Sequence, residues 1–166
     1  MTPRDLIEHA NSILFMIIPA PEVYRRRAVS AAYYAVFNAL TSFAADASGK
    51  DTPAVLWHKL RRKFGYSEVK KACTAYTAID VNTLRAYPFL DRPVSPKLTF
   101  IAKGFVILLD QRERADYELL DGPTMSEAAS NVRFATQCVD LWEPIKNGLE
   151  AQTFLVVLLF MGRRRG

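Results

Sequence analysis

Apolar positions along this chain recur at helical spacing and nowhere alternate as strands do. Leu6, Ile7, Ala10, Ile13, Leu14 and Ile17 fall on one face of a helix. Thr2 is placed to cap that helix, with Pro3 at its first position, where a missing N–H costs nothing. Pro19 and Pro21 close it and open a second helix, about Pro21 to Ala47. There Val29, Ala32, Tyr33, Val36, Phe37, Leu40 and Phe43 form a stripe in steps of three and four. Thr52 and Pro53 open a third helix, which runs to Phe64 and stops at Gly65. A fourth begins at Ser67 and carries Val69, Ala72, Cys73 and Tyr76. Pro88 and Pro93 mark Ile79 to Ser95 as a loop. Ser95 and Pro96 then start a long helix through Phe100, Ile101, Phe105, Ile107 and Leu108 to Leu120, ended by Asp121-Gly122-Pro123. Thr124 and Glu127 have the spacing of a capping box at the start of the last helix, which Pro144 interrupts. With no internal repeat, the pattern predicts one all-α domain over residues 1–166, an up-and-down bundle of five to six helices. Residues 151–166 form its C-terminal helix end and basic tail.

Composition adds limits. Half of the 166 residues are hydrophobic and 23% are charged, which is globular rather than disordered. The net charge is +5, of which Arg163, Arg164 and Arg165 supply three; the remainder is 5 − 3 = +2. Basicity of the body therefore does not by itself argue for a nucleic-acid partner. Arg4, Asp5, Glu8 and His9 interrupt any early apolar run, against a signal peptide. The longest apolar run, Phe154 to Met161, is far short of the roughly 20 residues that span a bilayer. A cytoplasmic protein with no membrane segment is expected. Cys73 and Cys138 make no CxxC pair and read as buried or half-buried thiols, a single disulfide between them being the alternative.

The chain has no glycine-rich phosphate loop, no HExxH and no GxSxG. Its two histidines, His9 and His58, cannot build a three-ligand metal site, so neither metal nor cofactor is expected. Two segments carry the candidate chemistry: Arg27 to Phe37, with the adjacent pair Tyr33 and Tyr34, and Gln111 to Tyr117. Arg112 and Asp116 stand four apart on one helix face, either as a phosphate-binding arginine oriented by a carboxylate or as an ion pair. Arg114 faces elsewhere. Tyr117 is placed to hydrogen-bond a ribose or stack on a base, or to pack on the second helix. Tyr33 and Tyr34 project about 100° apart, so that one belongs in the core and the other near a groove. His58 sits beside Lys59, Arg61, Arg62 and Lys63, and that cluster reads as an RNA-contact face or a solvated one. The same two readings apply to Arg25, Arg26 and Arg27.

The double-tyrosine helix followed by Arg112-Glu113-Arg114-Ala115-Asp116-Tyr117 resembles the HEPN family, in particular its small stand-alone branch. The resemblance runs from about Arg25 to Leu141 and includes His58 in the helix after the first loop. It implies a helical bundle that pairs as a two-fold dimer and acts on or binds RNA, often as the toxin partner of a nucleotidyltransferase-like antitoxin. It also implies metal-independent RNA cleavage by an arginine and a histidine four to six residues on. Here Tyr117 stands where the shortest spacing would put that histidine, and Asn38 stands where the branch often ends its tyrosine helix with another. The expectation is accordingly an RNA-associated or interaction module of toxin–antitoxin or defence type, without efficient catalysis. One alternative is a divergent ribonuclease with Arg112, Asp116, Tyr117 and His58 in a composite site across a dimer. Arg114, Tyr34, Arg61, Arg62 and Lys63 would then contact nucleic acid. A second alternative is a protein–protein adaptor that docks through the apolar end of the last helix.

Overall fold

The computed structural model describes residues 1–46, 65–77, 94–118 and 120–161. The protein is an all-α helical bundle, with six helices and no strand among the described residues. They are α1 (Pro3–Phe15), α2 (Glu22–Asp46), α3 (Tyr66–Thr77), α4 (Pro96–Tyr117), α5 (Met125–Trp142) and α6 (Leu149–Met161). The helix expected over residues 52–64 lies outside the described residues, as do most of the loop expected over 79–95 and the arginines at 163–165.

Local sequence explains most of the helix ends. The Thr2 hydroxyl accepts from the Asp5 amide at 3.2 Å, and the Asp5 carboxylate accepts from the Thr2 amide at 2.7 Å. Two otherwise orphaned donors at the start of α1 are thereby satisfied. Thr124 and Glu127 close the same reciprocal pair in front of α5, at 3.2 and 2.7 Å. Residues 143–148, around Pro144, separate α5 from α6, as the proline predicts.

Two expected ends are corrected. The first helix stops at Phe15, so Ile17 lies past its end and is half exposed instead of completing the apolar stripe. Pro19 disfavours helical backbone just before it, and Ile18–Pro19 is a cis peptide bond. The long helix stops at Tyr117 and not at Leu120, whose side chain is 98% exposed. With nothing to bury, Leu120 does not stabilise a further turn.

The chain divides into two compact units. The first comprises Met1–Ala39 and Gly104–Leu141, and so holds α1, the first part of α2, the second part of α4 and most of α5. Its core is built from Leu14, Val29, Tyr33, Val36, Phe105, Leu108 and Val132, all buried. The Tyr33 ring lies 5.6 Å from that of Phe105 and stacks at 6.0 Å on Phe37, tying α2 to α4. Arg4 reaches Asp140 at 3.0 Å and links α1 to α5 at the surface. Gly104 lets α4 approach α5 closely: a Cβ there would lie 2.5 Å from Cys138 Sγ.

The second unit comprises Leu40–Lys103 and Trp142–Gly166. In it α3 packs against α6. The Tyr76 ring meets Phe154 edge-on at 4.9 Å, and Trp142 lies 6.4 Å from the same phenylalanine. Glu150, in the first turn of α6, accepts from the Ser95 amide in front of α4. The apolar run of α6 is thus at least partly internal: Ala151, Phe154 and Val157 are all buried within the chain.

Candidate functional site

The candidate site lies in the first unit, where the end of α4 meets the middle of α2. Helical spacing puts Arg112 and Asp116 one turn apart, and Arg112 Nε lies 2.6 Å from Asp116 Oδ2. The other carboxylate oxygen accepts from the Ser30 hydroxyl of α2 at 2.8 Å. Asp116 is therefore held at both oxygens, once from its own helix and once from the facing one. The Arg112 side chain is 15% exposed, and its guanidinium carbon lies 6.0 Å from the centre of the Tyr34 ring and 5.8 Å from that of Tyr117. Both distances fall at the outer limit of a cation–π contact. Two rings and a carboxylate thus border the guanidinium, while Tyr117 leaves 72% of its own surface open to solvent.

The paired tyrosines divide as their angular separation predicts. Tyr33 is fully buried in the core; Tyr34 is half-buried and meets Tyr33 edge-on at 5.1 Å. Tyr34 also lines an open groove of about 840 Å³ between α1 and α2. Its lining includes the apolar Leu6, Ile13, Met16 and Val23 and the polar or charged His9, Arg26, Arg27, Ser30 and Asp116.

Of the expected catalytic group, Arg112, Asp116 and Tyr117 come together, and Tyr34 joins them from the expected RNA-contact set. Arg114 points away, to Glu118 at 3.5 Å and Glu127 at 3.4 Å. His58, Arg61, Arg62 and Lys63 lie outside the described residues. Among the described residues no cluster of histidine, cysteine, aspartate and glutamate could hold a metal ion. None of the described helices is long and apolar enough to cross a membrane.

Sequence reasoning overlooked Ser30 and His9, and it did not foresee the partners of two arginines within the chain. Ser30 precedes Tyr34 by one helical turn, and that spacing was the available signal for a residue on the same face. Nothing local marks His9, which reaches the groove only through the packing of α1 on α2. Arg25 and Arg26 are half-buried and engaged within the chain, Arg26 at the lining of the groove. Arg25 donates at 2.6 Å to the carbonyls of both Ala20 and Pro123, while Arg26 donates to the Ala115 carbonyl and pairs with Glu22 at 2.6 Å. These two arginines hold α2 to the turn before it and to the end of α4. Of the row, Arg27 alone is exposed.

Comparison of the chain with protein families, with curated proteins and with solved structures finds no match in any of the three.

Proposed function

We propose that the chain is an RNA-associated module of toxin–antitoxin or defence type that binds single-stranded RNA without cleaving it efficiently. The observation that carries this reading is the exposed Tyr117 ring beside a guanidinium that Asp116 and Tyr34 fix in place. An exposed aromatic ring offers a stacking surface for a base, and the adjacent cation suits a phosphate. The HEPN resemblance points the same way and adds two partners, a second copy of the chain and a nucleotidyltransferase-like antitoxin. Catalysis is not favoured, because Tyr117 stands where the resemblance places the family's histidine, the usual general base.

The test is fluorescence anisotropy of a labelled single-stranded RNA of mixed sequence with wild type, Tyr117→Ala and Arg112→Ala, each checked for unchanged helicity. Loss of one stacked base is expected to weaken binding about 5- to 100-fold. Because Arg112 and Arg114 are both paired with carboxylates, the salt dependence should be shallow. Absence of RNA binding by wild type, or full binding by Tyr117→Ala, refutes the reading.

One observation favours the ribonuclease alternative: His9 lines the same groove as Tyr34 and Asp116. Histidine is the side chain best suited to move a proton near neutral pH. Cleavage of the RNA in EDTA by wild type, lost in both Arg112→Ala and His9→Ala, would replace the binding reading with that one.

A further inference from the structure

The groove between α1 and α2 carries a positive charge that the chain does not compensate. Three residues of its lining, Arg26, Arg27 and Asp116, bear a full charge. Glu22 pairs with Arg26, and Arg112 pairs with Asp116. Arg27 is exposed and makes no ion pair or hydrogen bond among the described residues. His9 of α1 lines the same groove and is likewise without a hydrogen-bond partner among the described residues. The longer apolar stretch of the lining follows from these two residues toward the α1–α2 connection. Ile13 lies one helical turn nearer that connection than His9, Val23 one turn nearer than Arg27, and Met16 begins the connection itself. Met16 is 74% exposed and Val23 50%, so both have apolar surface that a ligand in the groove would take out of water.

We propose that this groove binds a small monoanionic amphiphile, a fatty-acid carboxylate, with its head on Arg27 and His9 and its acyl tail over Ile13, Met16 and Val23. Three features select that chemistry. The first is charge. A guanidinium meets a carboxylate through paired N–H···O bonds, and a single uncompensated arginine matches a single negative charge. A cationic head would be repelled by Arg27, and a neutral one would leave it uncompensated. The second is the apolar lining. An acyl tail has no polar group to leave unsatisfied against Ile13, Met16 and Val23, whereas a nucleotide would set its ribose hydroxyls there. The third is size: about 840 Å³ falls within the range of small-ligand sites, about 300–1,000 Å³. The groove shares Tyr34 and Asp116 with the candidate site, but the proposal does not depend on that site holding RNA.

The test is isothermal titration calorimetry of the whole chain with sodium decanoate below its micelle concentration. Decyltrimethylammonium serves as the probe of opposite head charge and hexanoate as the shorter chain. Wild type is expected to bind decanoate at one site with a Kd on the order of 100 µM. A methylene half-covered in an open groove is worth about 2-fold in affinity, so hexanoate should bind about 16-fold more weakly. Arg27→Ala should weaken decanoate binding about 10-fold. Val23→Asp should do at least the same, because it sets a like charge beside the tail. Both positions are exposed, and an acidic residue suits the first turn of α2, so folding stays intact, as circular dichroism checks. Absence of saturable decanoate binding by wild type, equal binding of decyltrimethylammonium, or an unchanged Kd in Arg27→Ala overturns the site. Pelleting of wild type with phosphatidylglycerol vesicles, without binding of decanoate monomers, also overturns it and assigns the face to a membrane surface. A wild type that binds RNA in the anisotropy assay but not decanoate overturns this proposal and leaves the RNA reading standing; decanoate binding without RNA binding does the reverse.

Discussion

Gly104 is where the packing of the first unit is most sharply testable. It lies on α4, two turns before Arg112, so the seating of α4 on α5 at this point bears on where the candidate site is held. An added Cβ would sit 2.5 Å from Cys138 Sγ and 3.4 Å from two ring carbons of Phe134. The ring contacts are tolerable; the sulfur contact requires a shift of about 1 Å in a fully buried side chain. Overpacking of this kind costs about 1–3 kcal/mol. Against it, alanine in a helix interior is favoured over glycine by about 1 kcal/mol. The net expectation for Gly104→Ala is a loss of about 1 kcal/mol, or about 3 °C in Tm for a chain of this size. Cys138→Ala removes the sulfur that the new methyl would strike. The double variant should therefore be more stable than the two single losses predict, with a coupling of about 1 kcal/mol or more. Urea and thermal unfolding followed by circular dichroism measure all four corners. A Gly104→Ala protein more stable than wild type, or strict additivity in the cycle, would refute the claim that this glycine exists for the close approach.

Two further predictions concern titratable groups. The Thr124 amide and hydroxyl hold the Glu127 carboxyl below its ordinary value, with Arg114 adding to the effect. A depressed carboxylate contributes stability above its unfolded pKa near 4.5, and that contribution is lost as pH falls through the folded value. Glu127→Gln should therefore flatten part of the acid limb of stability against pH below about 4.5, and Thr124→Ala should cost about 1 kcal/mol at neutral pH; equal acid limbs in wild type and Glu127→Gln would count against the cap. Burial pushes the Cys138 thiol up to about 12. In the Cys73→Ser background it should react with a disulfide reagent at pH 8 no faster than the protein unfolds, and rapidly in denaturant; fast reaction of the native protein would contradict its burial.

Much of this fold was legible because its signals are local. The Thr2-Pro3 start, the Thr124/Glu127 box and the Pro144 break each need only residues within one turn. So does the division of Tyr33 from Tyr34, which follows from 100° per residue and a stripe already marked by Val29, Ala32 and Val36. What the sequence hid depends on pairs far apart in the chain. Arg25 and Arg26 sit in a run that reads as a basic surface, yet their partners include the carbonyls of Pro123 and Ala115, and backbone acceptors carry no sequence signature. Ile17 satisfied the periodicity of α1, but periodicity records where a side chain would point if the helix continued, and Pro19 prevents that. The Arg112–Asp116 pair was legible from spacing alone; its third member, Ser30, is 86 residues from Asp116.

The interleaving of the two units along the chain has a consequence for synthesis. The first unit takes residues 1–39 and 104–141, and α2 and α4 each pass from one unit into the other. A growing polypeptide that has emerged to residue 103 carries α1 and α2 with their apolar faces uncovered, since Phe105, Leu108 and the inner face of α5 are still inside the ribosome. Neither unit can be closed until about residue 141 is out, and the second waits for α6. Closure of residues 1–39 ahead of the segments that follow them, the ordinary protection of a nascent chain, is therefore denied to the first unit. Its early helices must persist as a loosely associated pair or be shielded by a chaperone until residues 104–141 have emerged.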